Sequence, residues 1–124
     1  MMRPYTELPG LADIYLEDSY VLGIEAWPTE LRFLLDLVLT PSHEQYRPPS
    51  PREQHCYRKG ELIFKGVTRL LWADQGAPPA RDASGELDYG NIDGYEWDES
   101  SHRLYGGDWG CIDVVADAVT VELV

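Results

Sequence analysis

Apolar and polar residues alternate with a period of two along much of this chain. Tyr20, Leu22, Ile24 and Ala26 alternate with Val21, Gly23, Glu25 and Trp27. Leu31, Phe33, Leu35, Leu37 and Leu39 continue that spacing, with Arg32, Asp36 and Thr40 on the opposite face. An amphipathic helix would repeat at about 3.6 residues, so the alternation predicts two strands. The Pro28-Thr29 break between them predicts a hairpin. A helix over 29–39 is the competing reading, because leucine is a good helix former.

Residues 41–52 carry Pro41, Pro48, Pro49 and Pro51, which bar a central strand and predict a loop. Tyr57 to Trp72 reads as the next extended element, with Gly66 permitting a bulge or bend. A second break runs from Gly76-Ala77-Pro78-Pro79 to Gly85. Short segments follow at Leu87–Tyr89, Ile92–Trp97 and His102–Tyr105. The β-branched runs Trp109–Val115 and Val119–Val124 flank Ala116-Asp117-Ala118 and predict a final hairpin, Val119, Val121 and Leu123 pointing inward. Residues 1–18 predict an irregular lead-in or one helical turn. The expected class is mostly β (β or α+β). It is an antiparallel meander of six or seven strands, curled into a barrel-like or self-packed sheet with at most one short helix. With 124 residues, 44% of them hydrophobic, the chain is expected to form a single domain over 1–124 with a substantial core.

Charge is distributed unevenly. From Asp82 to Val124 there are eleven carboxylates against one base, Arg103, which supplies −10 of the formal −12. Residues 45–81 carry seven bases and three acids, and residues 1–44 eight acids and two bases. Such a field repels nucleic acid and anionic lipid and attracts cationic partners. No apolar run approaches the roughly 18 residues of a membrane span. The start of the chain lacks the apolar segment of a secretory signal. With Cys56 and Cys111 outside any Cys-x-x-Cys arrangement, the expectation is a cytoplasmic protein with reduced thiols.

Catalytic signatures are missing. There is no Gly-x-Ser-x-Gly, no phosphate-binding glycine loop and no dinucleotide fingerprint. His43, His55 and His102 lack zinc-ligand spacing. His55 and Cys56, adjacent on a strand, would point to opposite faces, which leaves His102 as a candidate imidazole for that thiol. Aligning Asp93-Gly94 with the fifth and sixth positions of a calcium-binding helix-loop-helix puts Tyr89 first and Ser100 twelfth, where carboxylate ligands are required. No cofactor and no metal are therefore expected. Arg47-Pro48-Pro49-Ser50-Pro51-Arg52 reads as a stiff surface loop.

One stretch is denser in chemistry than the rest. Asp88, Tyr89, Asp93, Tyr95, Glu96, Trp97, Asp98, Glu99, Tyr105 and Trp109 interleave carboxylates with large rings. Aromatics ringed by acids anchor Arg- or Lys-rich surfaces, and these ten residues form the candidate partner-binding set. The competing reading puts alternate members, such as Tyr95 and Trp97, in the core. A small metal-dependent hydrolase using carboxylates of the 86–99 turn is one alternative. An oligomeric structural module is another, a homodimer pairing through 119–124 or 31–39.

Three pieces carry a family resemblance: Leu16-Glu17-Asp18-Ser19-Tyr20-Val21-Leu22; Leu62-Ile63-Phe64-Lys65-Gly66-Val67; and Gly110-Cys111-Ile112-Asp113-Val114-Val115-Ala116 with Val119-Thr120-Val121. In order and spacing, over roughly residues 15–124, they resemble small bacterial proteins of polymorphic-toxin neighbourhoods, the immunity protein 50 type. The proline loop and residues 73–85 lie outside that pattern. The resemblance implies an αβ or mostly β domain that neutralises a cognate toxin without catalysis, and it brings no catalytic residues. The expected function is thus a non-enzymatic acidic binding protein engaging a basic protein partner.

Overall fold

A computed structural model of the chain describes residues 1–76, 80–81 and 85–124. The strands in chain order are β1 (Arg3–Pro4), β2 (Ile14–Trp27), β3 (Glu30–Leu39), β4 (Cys56–Lys65), β5 (Arg69–Ala73), β6 (Ala80–Arg81), β7 (Leu87–Asp88), β8 (Gly94–Asp98), β9 (Ser101–Gly106), β10 (Gly110–Val115) and β11 (Ala118–Leu123). Among the described residues the one helical turn is a 3-10 segment, Tyr5–Glu7. The mostly β antiparallel class therefore holds. Asp82, counted among the acids above, lies outside the described residues.

Two antiparallel sheets face each other, in the orders β1-β8-β9-β10-β5 and β11-β4-β3-β2, with β6 and β7 forming a small ladder of their own. The expected β2–β3 hairpin forms, and Leu31, Phe33, Leu35, Leu37 and Leu39 of β3 are all buried. One core spans both sheets. Phe33 meets Trp109 edge-on at 5.3 Å, and Phe64 meets His102 at 5.1 Å. Phe33 and Phe64 are fully buried, each worth about 1.5–3 kcal/mol of apolar transfer.

The expected final hairpin does not form. β10 pairs with β9 and β5, whereas β11 pairs with β4 in the other sheet. The element read from Tyr57 to Trp72 divides in the same way, β4 in one sheet and β5 in the other. At Gly66 (φ +68) the chain turns from sheet to sheet, and the carboxylate of Asp117 occupies the space a Cβ there would need. Asp117 sits in the second corner, where Asp117 N donates to the Lys65 carbonyl at 2.9 Å. Alternation states that a strand has a wet and a dry face, but not which sheet supplies the dry one. β11 is an edge strand, while β3 is central and cannot pair with another copy.

β2 is irregular near its start. Between the Tyr15–Val38 and Tyr20–Asp36 pairs its register shifts, and Ser19, fully buried, bridges the gap. Its hydroxyl donates to the Tyr15 carbonyl at 2.8 Å and accepts from Val38 N at 2.9 Å. Leu16 N donates instead to the Tyr5 hydroxyl at 3.1 Å. β2 is the edge strand of its sheet, and at Tyr20 and Val21 its outer edge receives the segment leading into β8.

Candidate functional site

The acids of the 88–109 stretch first act on their own backbone. Asp88 Oδ1 accepts from Gly90 N at 2.7 Å, an Asx-type turn, and Asp93 Oδ2 accepts from Gly107 N at 3.1 Å. Trp109 Nε1 donates to the Asn91 carbonyl at 3.0 Å. Gly90 has φ +87, and a Cβ there would lie 2.6 Å from Asp108 Oδ2. The loops 88–93 and 106–109 are thereby stitched together. Two bonds of 2.8 Å, Val21 N to Gly90 O and Tyr89 N to Val21 O, dock them on the edge of β2.

The ten candidate residues do not share one surface. Tyr95 (3% exposed) and Trp109 (2%) are core residues, and the Tyr95 hydroxyl is hydrogen-bonded to His102 Nδ1 at 2.6 Å. Glu96 and Tyr105 lie on the outer face of the five-stranded sheet, the Tyr105 ring covering Gly94 of the neighbouring strand. Trp97 sits under the amino-terminal segment, donating to the Pro4 carbonyl at 2.9 Å, with the Arg3 guanidinium 5.5 Å from its ring. Asp98 lies 3.0 Å from the Met1 amine, and Glu99 occupies the β8–β9 turn at φ 55. The length of β8, about 13 Å at strand rise, separates Asp98 and Glu99 from Asp93. Only Asp88, Tyr89, Asp93 and the buried Trp109 gather at the stitched loops.

Those loops border a cavity of about 190 Å³, lined by Ile24, Trp72, Gln75, Tyr89, Asp108 and Trp109 among others. Its two indole nitrogens are already engaged: Trp72 Nε1 donates to the Trp109 carbonyl at 2.7 Å, and Trp109 Nε1 to Asn91. What the indoles can offer a ligand is therefore ring surface. Asp108 is exposed at the margin and makes no hydrogen bond or ion pair with the described residues. Sequence reasoning missed Ile24 and Trp72, which come from β2 and β5, far from the dense stretch. Only the corner at Gly66, which sends β5 alongside β10, brings Trp72 over Trp109.

The groups weighed for catalysis do not assemble. His102 is buried with its pKa pushed down to about 4 by desolvation, and its Nδ1 meets Tyr95 and not a thiol. Cys111 pairs with Tyr105 on the outer face, opposite to His102, and burial, then Asp113, push its thiol up. A raised thiol is a poor nucleophile at neutral pH. Both cysteines are free. Among the described residues no three His, Cys, Asp or Glu side chains converge as metal ligands, and no helix is long and apolar enough to cross a membrane. Comparison with protein-family models, with curated proteins and with solved structures found no match to this chain.

Proposed function

We propose that this chain is a non-enzymatic, cytoplasmic acidic binding protein that engages a basic protein partner through the stitched loops 88–93 and 106–109. A bacterial toxin is the partner that the family resemblance implies. The observation that supports it most is the gathering of Asp88, Asp93 and Asp108 on two stitched loops, with Asp108 lining an aromatic cavity beside them. The chain's charge of −12 adds long-range attraction for a cationic surface and a faster encounter. Asp98 and Glu99, at the other end of β8, belong to the field and not to this contact. Capture of partners from the source cell's lysate at low and high salt tests the reading. D93N/D108N is expected to lose a salt-sensitive basic partner that E99Q retains. Capture unchanged in D93N/D108N, or no salt-sensitive partner at all, would remove it.

A second reading, a homodimer through β11, is favoured by the exposed edge of that strand. Val124 N donates to the Lys59 carbonyl, so by antiparallel alternation the backbone groups of Val119, Val121 and Leu123 face away from β4. Two copies centred on Val121 would pair all three, set Val119 against Leu123, and keep Glu122 opposite Thr120 instead of its own copy. Light scattering checks this: concentration-dependent dimers abolished by V121K support it, and a monomer at every concentration removes it.

A further inference from the structure

We infer that the cavity between Trp72, Tyr89 and Trp109 is a receptor for one cationic side chain of the partner, an arginine guanidinium above all, with Asp108 as its counter-ion. The inference rests on the reading of the chain as a binder of a basic protein, and it names the chemistry of the anchor.

Size is the first argument. At about 190 Å³ the cavity is smaller than the roughly 300 Å³ at which sites for drug-sized ligands begin, and it suits a single side chain. Polarity is the second. Both indole N–H groups are used internally, so neither is left to hold an anion, whereas the half-buried rings of Trp72 and Tyr89 and the Asp108 carboxylate suit a cation. Asp108 meets no cation among the described residues, in contrast to Glu61 and Asp113, which Arg32 and Arg103 hold at 2.9 and 2.8 Å. Rigidity is the third. Trp72 hangs from the Trp109 carbonyl, Trp109 from Asn91, and Asp108 packs over Gly90, so little of the site must be ordered on binding. A guanidinium fits better than an ammonium because its flat, weakly hydrated face stacks on rings while its edge meets the carboxylate.

The test needs no knowledge of the partner. N-acetyl-arginine methylamide is titrated into the intact protein while the indole N–H resonances of Trp72 and Trp109 are followed by NMR. The lysine and citrulline analogues and glucose serve as comparisons. Saturable shifts with the arginine compound are expected, with binding at least about fivefold weaker for neutral citrulline and similarly weakened in D108N, since removing either charge removes the ion pair. D108N changes an exposed side chain to one of the same shape, and its far-ultraviolet circular dichroism is expected to match the parent. The inference is overturned if the arginine compound gives no saturable shift, if citrulline or glucose binds equally well, or if D108N binds arginine unchanged. The two readings fail separately: no arginine binding with salt-sensitive partner capture intact removes the cavity alone, and arginine binding without any basic partner removes the proposed function alone.

Discussion

His102 shows how one buried residue makes stability depend on pH. Its ring packs on Phe64 and meets the Tyr95 hydroxyl, and desolvation holds its pKa at about 4 against 6.5 when unfolded. The unfolded chain therefore binds the proton more readily than the folded one. This contribution is fully present above pH 6.5 and is lost as pH falls towards 4, in total on the order of 3 kcal/mol. Urea unfolding of the parent and of H102N at pH 7 and pH 4.5 measures it. The stability difference between the two pH values is expected to shrink in H102N, and an identical difference would show that His102 titrates normally. That His102 faces inward was legible from alternation with Leu104. Its bond to Tyr95 was not, because it depends on the register of β8 on β9. The acids were legible only as charge: that Asp88 and Asp93 hold glycine N–H groups requires knowing which turns meet.

At the level of strands, alternation located most of the extended segments and glycine and proline the breaks, but Ile14–Asp18, expected in an irregular lead-in, begin β2. Pairing between neighbours was legible where a short turn left no choice, as at Pro28-Thr29. It was not legible at Gly66 and at Ala116-Asp117, where equally short connections turn the chain into the other sheet. Gly66 gives a direct test of the corner. Its φ of +68 disfavours any side chain, and Asp117 fills the space beside it. G66A is expected to destabilise by about 2–4 kcal/mol, combining left-handed strain with a steric clash. In the D117G background the cost of G66A is expected to fall to about 1–2 kcal/mol, since the strain stays while the clash goes. Chemical denaturation of the four proteins reads both terms, and additive losses would mean that the two corners are not coupled.

For the molecule as a whole, the unevenness of charge survives folding. Arg32, Arg103 and Lys59 pair with acids, but ten bases cannot neutralise twenty-two carboxylates. Self-repulsion then works against the compact state, and salt screens it. Raising NaCl from about 10 to 500 mM is expected to raise the melting temperature by a few degrees. A fall would mean that the ion pairs outweigh the repulsion. The same charge surplus was plain in the sequence, while the placement of its acids in the fold was not. The candidate stretch divides among core, outer face and both ends of β8, and the cavity takes Ile24 and Trp72 from strands that no local pattern could have joined to it.

The paired corners also decide what counts as a foldable piece. β1 to β5 lie before the glycine- and proline-rich stretch that starts at Gly76 and β6 to β11 after its start, yet each half contributes strands to both large sheets. Neither half owns a large sheet or a closed core: Phe33 and Phe64 belong to one half, their partners Trp109 and His102 to the other. Cut at the start of that stretch, the chain would yield two fragments that acquire structure only by finding each other, so the protein carries within itself the logic of a reconstituting split reporter.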